Sequence, residues 1–403
     1  MAAGELRPRW GQPLTGIISF VFFFGVAWFL WFILSDPRGP VGWFPYPFVM
    51  YLAMMILVGI WQHMLLGDWP FQNIEQPKRG IIMTIVNLIL VWLVIDIVFY
   101  RILGLGFNFL SFYGMEEIGK PGKLAQVAVV CFVLIGFYTY PVSTIFFGKW
   151  PAQPSNLKQP EAGLVEFAWG SLLTLICYSF LIVPFFGSII KGAALNPAWW
   201  ESIGGTSHVH WVFGWWEWAI VILFMTPNVW RMKPWSAITV PQPWKGLISV
   251  IISMIGAFLL MFLCKKLIPM WVPAETFHLL QESKGAAEVQ RFYWIHSAEI
   301  AGFFLIPFLI WHHYFDDIAF GLDRDGWVAF ILRTVGVMAL AAGSYWIFYY
   351  SNFGHWALGN HHMTELSHRF AHGESLVWNF WWIIPLLWNE WFFHKWPFYV
   401  HEE

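Results

Sequence analysis

The sequence predicts an all-α integral membrane protein of about ten transmembrane helices, arranged as five tandem helical hairpins. Three observations carry that fold class: apolar runs of spanning length, a low content of charge, and a short motif that returns where alternate helices begin. The chain of 403 residues is 58% hydrophobic and only 11% charged, where a soluble domain carries about a quarter charged residues. Crossing a hydrocarbon core of about 30 Å takes about 20 apolar residues. Runs of that kind fall near 14–35, 45–67, 80–102, 124–147, 163–187, 208–230, 245–265, 293–314, 327–350 and 375–394.

The recurring motif is QPxxG. It reads Gln12-Pro13-Leu14-Thr15-Gly16, Gln76-Pro77-Lys78-Arg79-Gly80, Gln159-Pro160-Glu161-Ala162-Gly163 and Gln242-Pro243-Trp244-Lys245-Gly246, with a degenerate fifth copy at Leu322-Asp323-Arg324-Asp325-Gly326. Proline suits a helix start and halts a helix at its end, and the preceding helix closes on a Trp-Pro pair such as Trp69-Pro70, Trp150-Pro151 or Trp396-Pro397. Tryptophan at that level anchors depth in the bilayer. The repeats run over about 12–75, 76–158, 159–241, 242–321 and 322–403, within a single membrane domain of residues 1–403. Both termini share a side with the short connectors, expected to be cytoplasmic; the loops of variable length lie opposite.

Composition also excludes. A net charge of −2 offers no basic stripe to neutralise phosphates, so nucleic acid is not an expected partner. Cys131, Cys177 and Cys264 all sit in apolar runs, which argues against disulfides and against covalent haem attachment. The opening MAAGELRPRWGQPLTG lacks the pattern of a signal peptide. Interfacial belts do not account for 30 Trp and 40 Phe; some must pack helix on helix or line a hydrophobic cavity.

The candidate chemistry concentrates in Ser351 to Glu374, between the last two apolar runs. His355, His361, His362, His368 and His372 stand there with Glu365. His368 and His372 are spaced i, i+4, the separation that puts two side chains on one helix face, and imidazole suits Cu, Zn, Fe and Ni. Three or four of these histidines binding one metal is the sharp reading; a solvated loop is the bland one. A secondary polar site is expected where His208 and His210 open one helix above Glu217, and where His296 opens another with Glu299 at i+3. Carboxylates inside a membrane segment are costly and usually face a partner or an aqueous cavity. A haem b alternative would use His63, His296, His312 and His394 near the two faces.

The C-terminal stretch resembles the C subunit of the copper membrane monooxygenases, the particulate methane and ammonia enzymes. His355 and His368 have that family's twelve-residue gap, Ser367-His368 its Ser-His before a helix, and His394-Lys395-Trp396-Pro397-Phe398 its style of helix exit. Ser351 stands where the family has a carboxylate, so Glu365 or His361 would have to substitute. The resemblance implies an intramembrane copper site that oxidises a small apolar or ammonia-like substrate. The expected setting is the inner or plasma membrane of a prokaryote, within a complex of other membrane subunits and a quinone or electron-donor protein. Two further readings stay open: a haem b or quinol-handling subunit, and a non-catalytic scaffold or transporter in which Glu217 and Glu299 form a proton or ligand path.

Overall fold

The computed structural model describes residues 6–36, 38–41, 48–102, 120–181, 210–317, 326–358 and 374–401. Helix dominates them. The elements are α1 (Leu14–Leu30), α2 (Phe48–Gly59), α3 (Lys78–Trp92), α4 (Lys120–Ile145), α5 (Glu161–Leu181), α6 (His210–Asn228), α7 (Trp244–Leu267), α8 (Ala274–Lys284), α9 (Ala286–Tyr314), α10 (Trp327–Tyr350), α11 (Asn352–Leu358) and α12 (Glu374–Trp391). The first three continue as π-helical turns over Trp31–Ser35, Ile60–Leu65 and Leu93–Ile102. Among the described residues six helices are long and apolar enough to cross a membrane: Leu14–Ser35, Lys78–Phe99, Glu161–Ser179, Trp244–Met270, Glu288–Tyr314 and Trp327–Tyr350. Helices of that length and composition mark a membrane protein.

Two helices lie where the sequence suggested variable loops. Pro273 precedes α8 and Gly285 separates it from α9, so the stretch after α7 is a helix, a glycine break and a second helix. α11 occupies the start of the His-rich stretch.

Helix contacts sort the bundle into two layers. α2, α4, α6, α9 and α12 each touch the next, and α12 returns to α2, which makes a closed inner ring. α1, α3, α5, α7 and α10 lie outside it. In the spanning window of α1, 22% of residues are buried, against 78% in that of α9. The outer helices bury narrow stripes of mostly small residues, Thr15, Ser19, Phe23 and Ala27 on α1, and Gly246, Ser249, Ser253 and Ala257 on α7. Lipid tails are as apolar as leucine, so helices in a bilayer associate through such close-fitting small residues. The remaining faces are Ile, Leu and Phe, with Leu259 62% exposed.

The pairing of helices differs in phase from the expected hairpins. Each outer helix makes its main contact on the inner helix before it: α3 on α2, α5 on α4, α7 on α6, α10 on α9, and α1 on α12. The reason is connector length. A short Trp-Pro to Gln-Pro link keeps the outgoing helix beside the one it has just left, whereas the longer loops let the chain travel. For α12 and α1 the link is not covalent. A two-stranded clasp joins them, with β1 (Leu6–Pro8) antiparallel to β2 (Tyr399–His401) in the register Arg7↔Val400.

The QPxxG glutamines lock this arrangement. Each donates from Nε2 to a backbone carbonyl at the end of an inner helix, at 2.8 Å in all four cases: Gln12 to Tyr314, Gln76 to Phe392, Gln159 to Leu65 and Gln242 to Phe146. Each also accepts, on Oε1, the amide of its own motif glycine, from 3.0 Å at Gly246 to 3.3 Å at Gly16 and Gly80. Helix ends leave backbone groups without intrahelical partners, and one glutamine serves two such ends together. The glycine is needed for approach. A Cβ on Gly16, Gly80 or Gly246 would run into the phenyl of Phe315, Phe393 or Phe147. Gly80→Leu is therefore expected to destabilise the fold by about 1–3 kcal/mol, the usual cost of overpacking. Thermal unfolding in detergent checks this, and a folded but inactive variant would contradict the structural role.

Candidate functional site

The inner ring encloses a cavity of about 50 Å³. Ile56, Phe137, Ile220, Leu305 and Ile383, one from each ring helix, form a layer around it, so the cavity lies on the ring axis. Among the described residues Glu217 is the one ionisable side chain lining it. Glu217 is 5% exposed, and no hydrogen bond or ion pair to its carboxyl is seen among the described residues. A cavity of this size admits a water molecule, which needs roughly 10–15 Å³. Toward the connector side the lining continues with Ile60, Phe224, Leu309 and Leu387 and ends at Trp391.

Beyond Trp391 the character changes to polar. His63 stacks on the Trp391 indole, with ring centroids 5.6 Å apart. One position before Trp391 on α12, Glu390 lies 2.6 Å from His313 Nδ1. Two further assemblies follow one plan, a histidine at the end of a ring helix turned onto an aspartate five residues later. His63 Nδ1 meets Asp68 at 2.8 Å, and His312 Nδ1 meets Asp317 at 3.1 Å. Asp68 reaches back because it sits at φ 62°, a left-handed conformation that aspartate tolerates better than most residues. Arg79 pairs with Asp68, and His394 Nε2 lies 2.7 Å from Arg79 and 3.5 Å from Asp68; Arg231 lies 3.6 Å from Asp317.

Burial alone would raise the Asp68 pKa. Hydrogen bonds from His394 and His63 and the charge of Arg79 more than reverse it, holding the carboxyl down at about 2. Burial likewise pushes Asp317 upward, and His312, Arg333 and Arg231 bring it below its ordinary value.

The other predicted site residues are distributed as follows. His361, His362, Glu365, His368, His372 and His208 lie outside the described residues. His355 falls on α11 and His210 opens α6, with both side chains outside the description. Among the described residues no group of three or more His, Cys, Asp or Glu side chains is placed to hold a metal ion. Glu217 and Glu299 turn different ways: Glu217 toward the axis, Glu299 toward Tyr349 on α10 at 3.0 Å. Of the four haem candidates, His296 has both ring nitrogens engaged, Nδ1 by Glu299 and Nε2 by Tyr345, each at 2.8 Å. Asp68, Glu390, Tyr345 and Tyr349 were not candidates on sequence grounds. The recurring spacing of five between histidine and aspartate was the available signal for one of them.

No protein-family model matches this chain, and no curated protein or solved structure matches it.

The Asp68 assembly gives a pH signature. Its folded pKa lies below the ordinary carboxylate value of about 3.9, so its contribution is complete above that pH and is lost as pH falls through about 2. Asp68→Asn is expected to cost about 2 kcal/mol at neutral pH. The gap from the parent protein should close in acid, which unfolding midpoints measured across pH will show.

Proposed function

We propose that the chain is a ten-span membrane protein, built from five tandem two-helix repeats closed into a ring, and that it moves protons along the ring axis through Glu217. Four glutamine locks of one geometry, each joining a helix start to the end of a ring helix two repeats back, support the repeat. The observation that carries the function is Glu217: a carboxyl facing an otherwise apolar cavity enclosed by all five ring helices. Intramembrane carboxylates without a partner are expensive to keep and mark proton or ion paths.

The parts have separable duties. Glu217 takes up and releases a proton at its carboxyl oxygens. Ile, Leu and Phe layers below it exclude a standing column of water, so protons do not leak. Trp391 closes the apolar stretch. His63 and the His313–Glu390 pair form the polar mouth that exchanges protons on the connector side. The path then lies within a single chain, in a prokaryotic plasma membrane.

A second reading keeps the metal. α11 is pinned by Trp28 Nε1 donating to the Ala357 carbonyl at 2.9 Å and by Arg38 donating to the Trp356 carbonyl at 2.9 Å. That fixes the helix bearing His355, from which the segment with His361, His362, Glu365, His368 and His372 continues. Copper held there, in a complex with other subunits, would make the chain an oxidoreductase subunit. The haem reading draws least support, since His296 has no ring nitrogen left for iron.

Proteoliposomes loaded with a pH-sensitive dye test the first reading under an imposed potassium potential. The expected result is proton uptake by the intact protein and a loss of tenfold or more in Glu217→Gln, a change of about 1.4 kcal/mol or greater in barrier. Equal flux in both would contradict it. Copper in the purified protein with no flux would favour the second reading.

A further inference from the structure

A second polar assembly lies away from the axis, between α9, α10 and α12. His296 and Glu299 are both 0% exposed. His296 Nδ1 stands 2.8 Å from Glu299 Oε2, and Tyr349 donates to the same oxygen at 3.0 Å. His296 Nε2 stands 2.8 Å from the Tyr345 hydroxyl, which in turn accepts from Trp271 Nε1 at 3.1 Å. Trp271 is 38% exposed, so this chain of hydrogen bonds runs from the protein surface to a fully buried carboxyl.

The tautomer follows from the partners. A carboxylate only accepts, so His296 Nδ1 carries the hydrogen and Nε2 is the acceptor for the Tyr345 hydroxyl. The imidazole is held flat against Phe292, with centroids 4.9 Å apart and planes 14° apart. On the far side of Glu299 the polar demand is unmet. Among the described residues, Glu299 Oε1, Ser375 Oγ and both polar atoms of the Asn379 amide are buried with no hydrogen-bond partner, although such atoms are ordinarily satisfied. Asn379 lies where a Cβ on Gly302 would approach it to 3.0 Å, and Leu305, the next turn of α9, lines the axial cavity.

We propose that His296 and Glu299 form a proton-loading site filled from the membrane surface through Tyr345. In the loading step the Tyr345 O–H bond breaks as an Nε2–H bond forms on His296, and surface water returns a proton to the Tyr345 oxygen. The net change is one proton gained and an imidazolium paired with the Glu299 carboxylate. The titratable groups facing the imidazole among the described residues are Glu299 on its own helix and Tyr345 and Tyr349 on α10. The purpose of the site, feeding the axial path, rests on the proton-moving reading; its existence does not.

The test is nitrogen-15 magnetic resonance of the full-length protein in nanodiscs with labelled histidine, the His296 signal being assigned by its loss in His296→Gln. Acidification is expected to convert His296 from one protonated nitrogen to two. Hydrogen–deuterium exchange at Nε2 is expected to slow roughly tenfold in Tyr345→Phe, which keeps the packing against Phe303 and Tyr349. Tyr349→Phe leaves the Nε2 route intact and should exchange at the parent rate. Parent-rate exchange in Tyr345→Phe, or a His296 that stays neutral wherever the protein is folded, would overturn the proposal. The readout needs no transport. Absent flux with normal loading would count against the axial reading alone, and normal flux with no loading against this one alone.

Discussion

The glutamine of each QPxxG motif is the contact on which the rest of the molecule depends. It bridges the start of one helix and the end of another, at the membrane border, where unsatisfied backbone groups are costly. With Gln159 on Leu65 and Gln242 on Phe146, the third and fourth outer helices are tied to the ends of inner helices earlier in the chain. With Gln12 on Tyr314 and Gln76 on Phe392, the same step carries the beginning of the chain onto its end. The inner helices are thereby held in a closed ring. Closure is what places five helix faces around a common axis and gives Glu217 an interior to face.

The ring also explains why Glu217 and Glu299 differ. Glu217 projects inward, where its neighbours from the other helices are aliphatic and phenyl groups with nothing to donate. Glu299 projects sideways into the seam with α10, where an imidazole and a phenol meet it. One position holds a carboxyl that faces the axial cavity. The other holds a carboxyl embedded in a hydrogen-bonded chain that reaches the surface. At the connector end the polar cost is met differently again, by pairing aspartates with histidine and arginine: His63 and Arg79 meet Asp68 within one connector, while His394 and Arg231 approach Asp68 and Asp317 from others, and the Asp68 pKa is held down.

Much of this was legible in the amino-acid sequence, and the misses have physical causes. QPxxG stood out because proline and glycine punctuate helices, yet nothing in it names the carbonyl that its glutamine reaches. Hydropathy located helices but not layers, because a lipid-facing Leu259 and a buried Leu57 are equally apolar. The stripe of Gly246, Ser249, Ser253 and Ala257 would have marked an outer helix bound along one narrow face. Pairing each helix with its partner across the variable loop was a natural expectation; the short connectors impose the opposite phase. At the site, Glu217 and Glu299 were flagged by the cost of a carboxylate in a membrane segment, but which way each points depends on ring geometry. The His63–Asp68 contact depends on a left-handed turn at Asp68, which the sequence does not display. The histidines of 361–372 lie outside the described residues.

The measurement that bears most directly on ring closure is a disulfide between Arg7→Cys and Val400→Cys, opposite each other in the clasp. A protease site placed in 182–209 lets the chain be cut after oxidation in the membrane. Closure predicts that the two halves stay joined on a denaturing gel until a reductant is added, at protein dilutions where separate chains do not cross-link. Halves that separate without reductant, under oxidation that joins other cysteine pairs, would contradict the closed ring and with it the axis on which Glu217 sits.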